Sequence, residues 1–115
     1  ALSLNWLKTV CTHNPAAVVS LYAPDGVLVG TVAQRIKQGR PDIKSYFDTF
    51  LKKPNLCGTF IGPDVVQIYS LWAVHSGNYI FRWDQEEVIA RYTFVYCWTP
   101  DGWKIANHHS SALPQ

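Results

Sequence analysis

The 115-residue chain has no methionine, three cysteines, and only ten Lys or Arg against eight Asp or Glu. Each shortage removes a class of function. A formal net charge of +2, with both signs mixed along the chain, gives no field for gripping a phosphate backbone or anionic lipid. No nucleic-acid or membrane partner is expected. No apolar run reaches the length of a membrane span, and the opening ALSLNWLKTVC lacks the charged-then-apolar layout of a secretory leader. A soluble, cytoplasmic chain is expected, with a removed signal peptide left open. Cys11, Cys57 and Cys97 are odd in number and show no Cys-x-x-Cys spacing, so they read as three buried thiols. No metal or other cofactor is expected.

What is plentiful is aromatic and aliphatic surface. Five Trp, six Tyr and five Phe in a chain of this length describe one packed core, hence one domain over residues 1–115. Leu4, Leu7 and Cys11, flanked by Trp6 and Val10, recur at helical spacing. Asn14 and Pro15 form a cap and first position for a second short helix, Ala16 to Tyr22, which the turn sequence APDG should stop. GVLVGTV reads as a buried strand and AQRIKQG as a polar connection or short edge strand. In GRPDIKSYFDTFLKKP, Pro41 and Asp42 suit a helix start and Lys52 and Lys53 its end, while Ile43, Tyr46, Phe47, Phe50 and Leu51 make one apolar face.

Everything after Pro54 reads as strands, over 56–61, 65–69, 72–83, 88–98 and 103–110, with tight turns at 84–87 and 99–102. Helices followed by an antiparallel meander give an α+β fold, with about three helices laid on the concave face of a curved sheet.

The turns act as rulers for register. Closing the last hairpin at TPDG pairs Trp98 with Trp103, Tyr96 with Ile105, Phe94 with Asn107 and Tyr92 with His109. The preceding hairpin pairs Phe81 with Ala90 and Tyr79 with Tyr92. One face then carries Tyr79, Phe81, Tyr92, Phe94, Asn107 and His109 toward the helices, and the other carries Arg91 and His108. A ligand pocket walled by Trp6, Tyr46, Phe50, Tyr79, Tyr92, Phe94, Asn107 and His109 is expected, suited to a small apolar or aromatic ligand.

Neighbouring residues on a strand face opposite ways, so His108 and His109 are a poor pair of ligands for one metal ion. Ser110 lies across the strand from His109, and no Gly-x-Ser-x-Gly elbow surrounds it, which disfavours a serine nucleophile. His109 is the candidate general acid or base, because a histidine in an aromatic pocket can be tuned near neutral pH. A core histidine satisfied by Tyr79 or Tyr92 is the competing reading. Asp25 reads as a turn residue, and Arg91 with His108 as a possible subunit interface.

Taken in order, VVSLYAPDGVLVG, GRPDIKSYFDTFLKK, SGNYIF, ARYTFVY and WKIANHHSSALP resemble the nuclear-transport-factor-2-like (cystatin-like) superfamily. More narrowly, the chain resembles small bacterial proteins related to the association domain of calcium/calmodulin-dependent protein kinase II. The resemblance implies a cone-shaped α+β fold with an open pocket, and a homodimer or higher homo-oligomer formed through the outer face of the sheet. Relatives include ketosteroid isomerases, SnoaL-like enzymes, dehydratases and non-catalytic assembly domains, so fold alone selects no activity. The kinase domain carries a last-strand histidine where this chain has His109, and a pocket arginine where it has Phe94. Loss of that arginine implies a less anionic ligand. Three readings follow: a ligand-binding or oligomerisation domain, an isomerase, dehydratase or cyclase using His109, and a pure assembly module.

Overall fold

A computed structural model describes residues 2–31 and 33–114. Helix α1 (Leu2–Val10) turns Trp6, Leu7 and Val10 inward, as its apolar spacing requires. Asn14 caps α2 (Pro15–Val19) by accepting the Ala17 N–H at 3.2 Å, with Pro15 at the first turn. The helix ends before Tyr22, earlier than its apolar run suggested. Tyr22 instead opens strand β1 (Tyr22–Val29), where it pairs with Ile105 and its carbonyl accepts from the Arg40 guanidinium at 3.0 and 2.8 Å.

APDG is correspondingly a bulge within β1 rather than a turn. Tyr22 pairs with Ile105 and Val27 with Asn107, so the extra residues loop out between two ladder positions. A side chain at Gly26 would put its Cβ 3.0 Å from the Ala23 and Ile105 carbonyl oxygens, which explains the glycine.

Strand β2 (Lys37–Gln38) is the short edge, and α3 (Arg40–Phe50) follows with Pro41 in its first turn. Asp42 binds Arg35 at 2.7 Å and accepts the Gln38 N–H at 3.0 Å. The guanidinium, helped by that backbone bond, lowers its carboxyl pKa to about 2. Ile43, Phe47 and Phe50 are buried on one face of α3.

Four long strands complete the chain: β3 (Cys57–Ile68), β4 (Trp72–Trp83), β5 (Glu86–Thr99) and β6 (Gly102–Ala112). The strand order is β2-β1-β6-β5-β4-β3. The meander is antiparallel, whereas β1, which is followed by β2 and α3 before the meander begins, runs parallel to β6. The two strands expected before Trp72 are one strand, β3, broken by an irregularity between Ile61 and Val65 where the Gly62–Pro63 bond is cis. Pro63 is tolerated because β3 is an edge strand.

Cys11 and Cys57 are not free thiols. They form a disulfide with a Cα separation of 4.6 Å, tying the residue after α1 to the start of β3. Spacing along the chain gave no sign of this bond, because α1 lying beside β3 is what brings positions 46 apart together. Cys97 remains a half-buried thiol.

Candidate ligand cavity

The register of β6 decides which of its side chains face the helices. Trp98 pairs with Trp103 and Tyr96 with Ile105, as the turn implied, but the next pair is Val95 with Asn107. Ala106 is therefore one residue too many, a bulge that exchanges the two faces from that point on. His108 and Ser110 turn inward, 2% and 6% exposed, and Asn107 and His109 turn out. The expected pocket positions of Asn107 and His109, and the surface position expected for His108, are thereby corrected. On β4 and β5 the pairing is offset by two residues from expectation, with Phe81 opposite Val88 and Tyr79 opposite Ala90. An even offset leaves the faces unchanged, so Tyr79, Phe81, Tyr92 and Phe94 are inward as expected.

Between α1, α3 and this face lies a cavity of about 150 Å³. Trp6, Tyr46, Phe50 and Tyr79 line it together with Phe81 and Trp83. Tyr92 and Phe94 are buried but lie outside the lining. The polar part of the lining includes Thr31, Tyr79, His108 and Ser110, and its charged residue is Lys53, whose Nζ sits 4.4 Å over the Trp83 ring.

These polar groups form a chain. The Trp6 Nε1–H donates to the Tyr22 hydroxyl at 3.2 Å, and that hydroxyl lies 2.8 Å from His108 Nδ1. His108 Nε2 lies 3.2 Å from the Tyr79 hydroxyl, which donates to Ser110 Oγ at 2.6 Å; Ser110 Oγ lies 2.6 Å from Thr31 Oγ1. Burial, reinforced by His109, depresses the His108 pKa to about 3, so the ring is neutral at physiological pH. Burial also drives the Tyr22 and Tyr79 hydroxyls far above the ordinary tyrosine value. The chain is uncharged throughout.

A second polar cluster escaped the sequence reading. His75 Nε2 lies 2.6 Å from Asp64 Oδ2, and its Nδ1 lies 2.7 Å from Ser3 Oγ. The order Asp, His, Ser is that of a hydrolase relay. Ser3, however, is 3% exposed and also bonded to the Tyr96 hydroxyl at 2.7 Å, so no substrate carbonyl reaches it. Burial, with the Asp64 charge, raises the Tyr92 hydroxyl to about 12. No sequence signal links residues on α1, β3 and β4 in this way. A wider cleft of about 450 Å³ is lined in part by Arg91, Asn78, Thr93, Asp64 and His109.

The family model for the calcium/calmodulin dependent protein kinase II association domain matches residues 1–114. The chain belongs to that family. A crystal structure from Xanthomonas campestris, described as such an association domain, is 40% identical over 100% of this chain and 85% of its own, with a TM-score of 0.92. A nuclear transport factor 2-like superfamily protein from Salmonella enterica superposes with a TM-score of 0.85 at 17% identity, covering 99% of this chain and 87% of its own. A structure from Parabacteroides distasonis described as a ketosteroid isomerase gives 0.77 at 22% identity, covering 96% and 84%. These last two establish the cone-shaped nuclear-transport-factor-2-like fold and nothing about activity. No protein of curated function matches. Membership of an association-domain family points to self-assembly, and among the described residues no helix is long and apolar enough to cross a membrane.

Proposed function

We propose that this chain is a self-associating domain that binds a small, uncharged, mostly apolar ligand in the cavity between α1, α3 and the sheet. The neutral His108 within an aromatic lining carries this reading. Aromatic walls supply dispersion and apolar burial, and a few fixed polar groups supply orientation, the usual form of a ligand site. An isomerase or dehydratase needs a group that takes up and returns a proton near neutral pH. His108 does not ionise there, and His109 is turned away from the cavity, so the binding reading is favoured over turnover.

A thermal-shift panel of small cyclic compounds tests this, run in parallel on Val88→Phe, which places a ring in the lining. A compound held at about a hundred times its Kd stabilises by roughly 2.7 kcal/mol, a shift of several degrees. Stabilisation of the parent but not of Val88→Phe supports the cavity. Equal shifts in both, or none in either, refute it.

A second observation favours assembly. Val65, Val66, Ile68, Tyr69, Leu71 and Trp72, all at least 50% exposed, cluster on the second half of β3 and the turn into β4. Trp98, 54% exposed, lies beside them, its N–H bonded to the Leu71 carbonyl. A contiguous apolar area of this kind on a sheet edge marks an interaction surface, and a second copy of the chain is its proposed occupant.

A further inference from the structure

The direction of hydrogen bonding in the buried chain can be worked out from its two ends. The Trp6 indole N–H donates to the Tyr22 oxygen, and because the Tyr79 hydroxyl gives its hydrogen to Ser110 its oxygen is left to accept from His108 Nε2, so the neutral ring's bare Nδ1 accepts the Tyr22 hydrogen. His108 then carries its hydrogen on Nε2 and gives it to the Tyr79 oxygen, and the Tyr79 hydroxyl donates to Ser110. Ser110 and Thr31 share one further contact at 2.6 Å, which uses one of their two hydroxyl hydrogens. Whichever of them donates, the other hydrogen meets no acceptor among the described residues. Both residues line the cavity.

We infer that the cavity accepts a single-ring ligand bearing a hydrogen-bond acceptor, such as a ketone oxygen, which receives the surplus hydroxyl hydrogen at Ser110 and Thr31. This rests on the cavity being a ligand site. Its new content is polarity: the site discriminates for an acceptor and against a donor, because the Tyr22 and Tyr79 hydrogens are already committed to His108 and Ser110. A cavity near 150 Å³ suits one ring of about benzene size. The side chains that commit the network are Trp6, Tyr22, Tyr79 and His108, none of them exposed enough to exchange its partner for solvent.

Two measurements test it. The first is calorimetric titration with cyclohexanone, methylenecyclohexane and pyrrole: similar rings with an acceptor, no polar atom, and a donor. Cyclohexanone should bind about tenfold tighter than methylenecyclohexane, the worth of one net hydrogen bond, and pyrrole no tighter than methylenecyclohexane. Equal affinity for the first two, or a preference for pyrrole, overturns the inference while leaving the cavity a ligand site. Failure of all three to bind overturns both. The second needs no ligand: a nitrogen NMR spectrum of the imidazoles in the parent and in His108→Gln. The resonances lost in the variant should show a protonated Nε2 and a bare Nδ1 at pH 7. A protonated Nδ1 would send the hydrogens the other way and overturn the inference.

Discussion

Phe94 stacks on His108, with ring centroids 4.1 Å apart and planes 16° from parallel, across paired positions of β5 and β6. Trp6 meets the same imidazole edge-on at 5.0 Å and 80°. The histidine is thus enclosed by aromatic rings, with both nitrogens satisfied by tyrosine hydroxyls. With phenylalanine at position 94, the ring stacked on the imidazole brings no charge to this interior. The packing and the depressed His108 pKa are therefore one property of the site.

Protonation of His108 is linked to unfolding. Its folded pKa, about 3, lies below the ordinary histidine value, so between the two the unfolded chain holds a proton that the folded chain does not. Full stability is present above about pH 6.5 and is lost as pH falls, approaching about 1.4 kcal/mol per pH unit from this residue. Urea unfolding at pH 7, 6 and 5 should show that decline in the parent and a shallower one in His108→Gln. Matching slopes would show that His108 is protonated in the native state. Because Gln leaves at least one tyrosine hydroxyl badly placed, the variant should also be less stable at pH 7, by about 1–3 kcal/mol.

The Cys11–Cys57 bond closes a loop of 46 residues, for which chain entropy gives about 4 kcal/mol. Adding reductant, or making Cys11→Ser with Cys57→Ser, should lower the unfolding free energy by roughly 2–4 kcal/mol and loosen α1, which carries Trp6. Alkylation of native protein followed by mass measurement should find one reactive thiol, Cys97. Three reactive thiols would mean that the bond does not form.

How far the sequence was legible depended on parity. The apolar spacing of α3 and the pairing of Trp98 with Trp103 are local, and both are found as read. The even error in pairing β4 with β5 left Tyr79 and Phe94 facing the helices, so the aromatic face was legible even where its exact partners were not. The single extra residue Ala106 exchanged His108 for His109, because nothing in ANHHSS distinguishes a regular strand from one bulged at its first residue. The apolar neighbours of Tyr22 predict a helix, whereas its contacts to Arg40 and His108 are long-range. Local propensity yields to such tertiary contacts.

The exposed apolar cluster near the β3–β4 turn predicts concentration-dependent assembly. Ile68, 76% exposed, and Trp72, 50% exposed, contribute little to the core, so Ile68→Lys with Trp72→Lys should leave the unfolding midpoint within a few degrees. Light scattering should nevertheless show a lower mass for the double variant than for the parent. An unchanged mass removes this surface from the assembly interface and directs attention to the cleft around Arg91 and His109.

Gly30 makes the last prediction. A Cβ placed there would lie 2.5 Å from Tyr46 Cε2 and 2.7 Å from its Cζ, so no side chain fits unless the ring moves. Tyr46 stacks on Phe50 at 5.7 Å and meets Phe47 edge-on at 5.1 Å, both against the cavity, which leaves the ring little room to turn without disturbing the lining. Gly30→Ala should therefore cost about 1–3 kcal/mol of stability and weaken cyclohexanone binding at least tenfold. Adding Tyr46→Leu removes the clash, and the pair should be more stable than the two single effects summed, by an amount within the 0.5–3 kcal/mol seen for touching residues. Strict additivity would place the Tyr46 ring elsewhere and with it one wall of the cavity.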